Sequence, residues 1–311
     1  MMITKIINSK KFFWIAALIS NFLWASLFSV IKLGYSIAKI SSRDVYGQIL
    51  FAGYVFTVSG IITIGGNCFK SEQCFLKKNT RKELKVKSVM KIIIIALCQT
   101  VFQYSFLYIG LAHTTATKGA ILSSTNVFIS IILSAIVFKQ EVIIKEKIIG
   151  CILGFSGIVI LNITNIYGGW NWSLGDIFVL FAAFFVALAV VLVRHFSQDI
   201  DPISLSGWQS FLGGIVLIII GMVKSKEQYH INCFFVFIIL YLAIASAIAY
   251  SVWCVLLKNY RVSKVAIFGM TEPIFGIIIS SILLKENILH LNYIIALFVI
   301  CIGIWLVNRN E

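Results

Sequence analysis

Twelve acidic side chains occur in this 311-residue chain, and eleven of them fall between apolar runs or at their ends. The twelfth, Glu272, stands in the middle of such a run and is followed by Pro273. A carboxylate at the centre of a membrane helix costs about 2.5–3.5 kcal/mol to insert, so it must face protein or water and hold a partner or a proton. The proline after it removes a backbone donor and strains the preceding turn, freeing carbonyls that can line a cavity. Two readings stay open for Glu272: it binds a cationic group of a solute or carries a coupling proton, or it is a protonated carboxyl that hydrogen-bonds a neighbouring helix for packing.

Neutral polar and aromatic residues recur at helical spacing in other apolar runs. Gln99 and Gln103 lie one turn apart and share a face with Phe106 and Gly110, while Ser246, Tyr250 and Trp253 form another face. Ser123, Thr125 and Asn126 add a third group, and Asn21, Trp24 and Ser26 a fourth. Any one of these polar groups serves equally well as interhelical glue, worth about 0.6 kcal/mol. Taken together they make a hydrogen-bonding, aromatic lining suited to a polar or zwitterionic organic solute. The candidate binding residues are therefore Glu272, Pro273, Gln99, Gln103, Asn126, Tyr250, Trp253 and Trp24. Lys32, Lys118, Arg194 and Lys264 all sit at the ends of apolar runs, where long cationic side chains snorkel to the interface. With no cation at mid-run, phosphate-bearing solutes are disfavoured.

Other chemistries lack their signatures. There is no GxxxxGK[ST] loop for ATP, no HExxH and no Ser-His-Asp grouping, and His113, His195, His230 and His290 all lie near loops. The seven cysteines are scattered singly without a CxxC, which predicts neither zinc nor disulfide chemistry. No enzyme activity and no cofactor are expected.

The elements that must carry these residues follow from composition. With 60% hydrophobic and 12% charged residues and a mean hydropathy of +0.98, the chain is an integral membrane protein rather than a soluble globule. Apolar runs predict ten helices, at 12 to 35, 45 to 67, 89 to 111, 115 to 137, 148 to 166, 175 to 196, 203 to 223, 233 to 257, 265 to 284 and 288 to 307. The runs are continuous rather than alternating at period two, which excludes a barrel and makes the class all-α. Lys5, Lys10 and Lys11 ahead of the first run resemble a secretory signal, but the run is long and lacks a small-residue cleavage site, so it is read as a span.

Charge sets the orientation. Placing the N-terminus inside puts nineteen of the 26 Lys and Arg residues in inner segments and seven in outer ones, which predicts both termini in the cytoplasm. The net charge of +14 thus marks topology, not a nucleic-acid groove. The segment 70 to 91, with eight cations, reads as a positive-inside loop, and Trp170 and Trp172 suit the interfacial belt.

The second half of the chain echoes the first. At a shift of 146 residues Tyr104-Ser105 matches Tyr250-Ser251, Lys118 matches Lys264, Ala120-Ile121 matches Ala266-Ile267 and Gly157-Ile158 matches Gly303-Ile304. Nearer the N-terminus the shift becomes 161 to 162 and pairs Ala25 with Ala187, Lys32 with Arg194, Gln48 with Gln209 and Gly53 with Gly214. A register held over most of five predicted spans is a repeat. Five is odd, so the halves run in opposite senses through the bilayer, an arrangement recurrent in secondary transporters with the site at the midplane between the halves.

The stretch from Gly110 through His113 and Lys118 to Ala120, the long run ending Phe138-Lys-Gln-Glu141 and the segment Gly150 to Gly157 form one unit. Lys264-Val-Ala-Ile, Glu272-Pro273-Ile-Phe-Gly276, Leu284-Lys-Glu286 and Gly303 repeat it. In these features the chain resembles the drug/metabolite transporter superfamily, EamA-like family, over nearly its full length. The resemblance implies two five-helix modules, 12–166 and 175–307, around a central cavity lined mainly by spans 1, 3, 4, 6, 8 and 9. It also implies alternating access for small polar metabolites, often amino acids and often outward, in the inner membrane of a prokaryote. One departure is plain: the fourth span reads Ser123-Ser-Thr-Asn126-Val where the family often has a proline. The expected partners are a small metabolite, a coupled proton and the lipid bilayer, with no nucleic acid. A channel or accessory membrane subunit is the main alternative and an intramembrane enzyme the weaker one.

Overall fold

The computed structural model describes residues 10–70, 82–138, 145–162, 172–224, 232–262, 265, 267–286 and 291–308. All the regular structure among them is helical. The helices are α1 (Lys10–Ala38), α2 (Val45–Lys70), α3 (Lys82–Ile95), α4 (Gln103–His113), α5 (Ala116–Ser123), α6 (Asn126–Phe138) and α7 (Lys145–Asn162), followed by α8 (Leu174–Phe196), α9 (Pro202–Lys224), α10 (Cys233–Asn259), α11 (Thr271–Leu284) and α12 (Leu291–Asn308). A π-helical segment, Ala96–Phe102, joins α3 to α4, and a 3-10 turn, Ile267–Met270, leads into α11.

Capping side chains fix where several helices begin. The Ser173 hydroxyl accepts from the Asp176 N–H at 3.1 Å while the Ser173 N–H donates to the Asp176 carboxylate at 2.9 Å, a reciprocal box that starts α8. Asn232 accepts from the Phe235 N–H at 2.9 Å to start α10, and Thr115 accepts from the Lys118 N–H at 3.1 Å to start α5.

Seven helices among the described residues are long and apolar enough to cross a membrane: Lys11–Ala38, Val45–Cys68, Lys87–His113, Ala116–Ile136, Leu174–Phe196, Pro202–Val223 and Cys233–Asn259. Thr271–Leu284 and Leu291–Gly303 are shorter apolar helices. The run expected at 265 to 284 falls short because the 3-10 turn interrupts it before Thr271. Large apolar side chains cover the outside, with Val223 72% and Ile282 71% exposed, which suits a lipid solvent and not water. Trp170, residues 71–81 of the basic loop, Lys139 to Glu141 and Lys264 lie outside the described residues.

The bundle is held by a small set of helix pairs. α2 packs along α9 and α7 along α12; α1 packs on α10 and α11, and α8 on α4 and α6. The α2–α9 contact is close enough to require bare backbone. A Cβ at Gly53 would come within 2.7 Å of the Ile218 N and 3.1 Å of the Gly214 O, and one at Gly60 within 2.5 Å of the Phe211 N. Small residues that let backbones approach are a recurrent basis of helix association in lipid, where no hydrophobic force drives it.

Two sequence expectations are corrected here. Cys68, at the end of α2, is disulfide-bonded, while Cys98, Cys233, Cys254 and Cys301 are free. Disulfide formation needs the two Cα atoms within about 7 Å, a condition that sequence spacing does not report. Lys118 does not snorkel: its Nζ lies 2.6 Å from the Asp176 carboxylate, a group with no solvent exposure.

Candidate functional site

Between the helices lies a narrow cavity of about 60 Å³, smaller in this conformation than a typical small-molecule site. Asn21 and Trp24 of α1 form one wall; Gln99 of the π segment with Gln103, Tyr104 and Leu107 of α4 form the next. Ser123, Asn126 and Ser130 come from α5 and α6, Val186 and Val190 from α8, Tyr250 and Trp253 from α10, and Gly269 and Glu272 from the 3-10 turn and the first turn of α11. Seven of the eight candidate residues thus surround one space. The eighth, Pro273, is buried beside Glu272 but is not part of the wall.

Hydrogen bonds tie part of this wall together. The Tyr104 and Tyr250 hydroxyls share a 2.5 Å hydrogen bond, and Gln103 Nε2 donates to the Tyr250 hydroxyl at 3.2 Å. Trp24 meets Tyr250 and Trp253 edge to face, with ring centroids 5.3 and 4.9 Å away. Several buried polar atoms on the wall have no hydrogen-bond partner: Trp24 Nε1, Gln99 Oε1 and Gln103 Oε1. Leaving a buried polar group unsatisfied costs about 1–3 kcal/mol, so three around one cavity call for a ligand or water to meet them.

Two interruptions position the key side chains. The helix carrying Asn126 breaks between α5 and α6 at Ser124 and Thr125; the Ser124 hydroxyl donates to the Ile121 carbonyl at 2.6 Å and Asn126 Nδ2 to the Ser123 carbonyl at 2.8 Å. The helix carrying Glu272 changes from 3-10 to α at Thr271, whose hydroxyl donates to the Phe268 carbonyl at 2.7 Å. At the shift of 146 residues Thr125 corresponds to Thr271 and Asn126 to Glu272. The missing proline in the first half therefore does not prevent a break there; Ser and Asn side chains that compete for backbone carbonyls supply it instead.

The π segment explains which expected neighbours do not join the site. It inserts an extra residue into the helical turn, so positions beyond it rotate relative to Gln99. Phe106 faces α8, stacked at 5.7 Å on Phe185, and a Cβ at Gly110 would strike Val179 and the Gly175 carbonyl. Tyr104 and Leu107 line the cavity in their place. Tyr104 was visible in the sequence only as the repeat partner of Tyr250. Ser246 is buried off the wall, and Ser26 bonds the Tyr241 hydroxyl at 2.7 Å outside it.

A polar cluster closes the end of the bundle where α1 finishes. Asp176 accepts from the Thr114 hydroxyl at 2.6 Å as well as from Lys118, and the Glu286 carboxylate accepts from the Ala116 and Thr117 N–H groups at 2.9 and 3.0 Å. Lys32 Nζ donates to the Thr114 carbonyl at 2.5 Å. Inside this cluster Tyr35, Phe51 and Tyr108 fill the interior, with the Tyr35 hydroxyl donating to the Tyr108 carbonyl at 2.7 Å. Toward the opposite end the cavity continues along Val190, Leu257 and Val262. Asp176→Asn would remove the carboxylate that Lys118 bonds, and breaking a buried ion pair costs about 3–5 kcal/mol. The expected result is a clear fall in the melting temperature in detergent, larger for Asp176→Ala, which also removes the acceptor of the Ser173 N–H and the Thr114 hydroxyl.

Membrane-length helices around an internal cavity with polar and aromatic lining residues define a polytopic membrane protein. The chain belongs to the EamA-like transporter family, whose model matches residues 12–163 and 173–309. Membership places it among membrane transporters of small molecules. It is 27% identical over 237 residues to an uncharacterized transporter of Synechocystis, covering 71% of each chain. It is 26% identical over 223 residues to a chloroplastic WAT1-related protein of Arabidopsis thaliana, covering 68% of this chain and 52% of the plant protein. A crystal structure superimposes with a TM-score of 0.69 over 97% of this chain and 98% of that one, at 13% identity, a similarity of fold.

Proposed function

We propose that the chain is a secondary carrier that moves small polar metabolites, amino acids or related compounds, outward across the inner membrane by alternating access. In this reading ten spans form two inverted five-helix repeats and both termini are cytoplasmic. The observation that carries it is the meeting of repeat-equivalent residues at the cavity: Tyr104 and Tyr250, 146 positions apart, share a hydrogen bond, as residues on a twofold axis between the halves would.

Other contacts obey the same exchange. With α3 and α4 counted as the third span, α5 and α6 as the fourth and α8 as the sixth, adding five converts the pairing of the first span with the eighth and ninth into that of the sixth with the third and fourth. The second–seventh and fifth–tenth pairs map onto themselves. Lys32 donates to the Leu111 carbonyl at the end of α4, and its counterpart Arg194 donates to the Leu257 carbonyl at the end of α10. A cation on a helix's final carbonyls is favoured by the helix dipole.

The halves differ in one respect. Leu257 and Val262 border the cavity and their counterparts Leu111 and Ala116 do not, although all four side chains are buried. Exchanging the two arrangements between inverted halves would extend the cavity toward the other end instead, as alternating access requires. With the termini inside, the present cavity extends toward the cytoplasm and the Asp176 cluster closes the outside. Glu286→Ala removes the acceptor for the first N–H groups of α5, and a cysteine at Leu107 should then react severalfold faster with an impermeant maleimide added outside.

Proteoliposomes test the whole reading. A carrier gives saturable counterflow of a labelled amino acid or related metabolite; flux linear in concentration would indicate a channel, and no flux an accessory subunit. Labelling of the two chain ends should place both on one side of the bilayer, and opposite sides would overturn the inverted ten-span topology.

A further inference from the structure

We infer that the solute group held in the cavity is an organic ammonium, and that no carboxylate on the solute is recognised. The inference rests on the carrier reading of the cavity and narrows its substrate class from amino acids and related compounds to amines that lack the carboxylate.

The first ground is charge. Among the described lining residues Glu272 is the one carboxylate, and none is Lys, Arg or His. The nearby cations are committed elsewhere: Lys32 to the carbonyls of Leu111 and Thr114, Lys118 to Asp176, and Arg194 to the carbonyls of Leu257 and Lys258. An ionised Glu272 therefore finds its counter-charge in the solute, or takes up a proton when the solute leaves. A solute carboxylate would enter a wall that has no positive group for it, and burying an unpaired charge is strongly unfavourable.

The second ground is the set of unmet hydrogen bonds. A primary ammonium presents three N–H donors and no acceptor. The wall offers it the Glu272 carboxylate together with the amide oxygens of Gln99 and Gln103, both buried without a partner. The orphaned donor, Trp24 Nε1, matches a hydroxyl or carbonyl oxygen on the same solute.

The third ground is ring geometry. Trp24 stands at 73° to Trp253 and 65° to Tyr250, and Tyr104 at 79° to Tyr250, so the rings are set as adjoining walls rather than as a stack. Aromatic walls of this kind recognise ammonium groups through the negative potential of the ring faces. Glu272 itself lies in the first turn of α11.

Amines and amino alcohols fit these three features better than the amino acids from which they derive by loss of the carboxylate. The test uses purified protein in nanodiscs and matched pairs: tyramine with tyrosine, phenethylamine with phenylalanine, ethanolamine with serine and cadaverine with lysine. Binding is read from tryptophan fluorescence and from thermal stabilisation. In at least one pair the amine should bind at least tenfold more tightly than its amino acid. That binding should weaken at least a hundredfold in Glu272→Gln and about tenfold in Trp253→Leu, and be largely kept in Glu272→Asp. Amino acids binding as tightly as amines in every pair, no binding by any amine, or amine binding indifferent to Glu272→Gln and Trp253→Leu would each overturn the inference. Counterflow separates its failure from that of the carrier reading. Saturable counterflow of an amino acid with no competition from amines removes the ammonium class and keeps the carrier; an amine that binds through Glu272 but shows no counterflow removes the carrier and keeps the site.

Discussion

Glu272→Gln is expected to reduce transport by two to three orders of magnitude while the protein still reaches the membrane. Removing one partner of a buried charge contact costs about 3–5 kcal/mol, and each 1.4 kcal/mol is about a factor of ten. Glutamine preserves the shape of the first turn of α11, so the folded fraction should be close to that of the wild type. The pH dependence has a definite sign. Holding a cation requires the ionised carboxylate, so affinity falls as pH is lowered through its titration, and the Gln variant has no such limb. The titratable groups facing Glu272 from the neighbouring helices are the Tyr104 and Tyr250 hydroxyls, and phenols ordinarily titrate near about pH 10. Uptake into proteoliposomes across that range checks both points. Wild-type rates in the variant, or an unchanged pH profile, would remove Glu272 from the binding step.

Gly60→Leu should have the largest effect on folding. Even a Cβ at this position would lie 2.5 Å from the Phe211 N and 2.6 Å from its Cα, so backbone and not a yielding side chain opposes it. Overpacking in a core costs about 1–3 kcal/mol where side chains can rearrange, and here the helices α2 and α9 must separate instead. The expected outcome is loss of most monodisperse protein on size exclusion in mild detergent. Gly65→Leu on the same helix is the control, since nothing lies within 4 Å of its added Cβ. Equal behaviour of the two variants would mean that the α2–α9 contact does not hold the bundle.

Much of the architecture was legible in the sequence because membrane insertion is scored residue by residue. Hydropathy locates α1, α2, α8, α9 and α10 to within a few residues, since each is a continuous apolar run with charge at its ends. The 146-residue register is legible too, and Tyr104 with Tyr250 is one of the pairs it matches. The polar and aromatic candidates converge on one cavity because a polar group in an apolar run has few places to go except inward.

What the sequence left undecided concerns distances between segments far apart in the chain. By itself it determined an all-helical membrane protein with a repeated half and a lone mid-run acid, because apolar length and periodicity are local properties. Only the tertiary structure decided that the π segment turns Phe106 toward α8, that Ser124 and Asn126 break a helix without proline, and that Lys118 is buried against Asp176. The same holds for the disulfide at Cys68. Each of these depends on which helix face meets which neighbour, and a rotation of one residue, about 100°, changes the partner while leaving the hydropathy of the run the same.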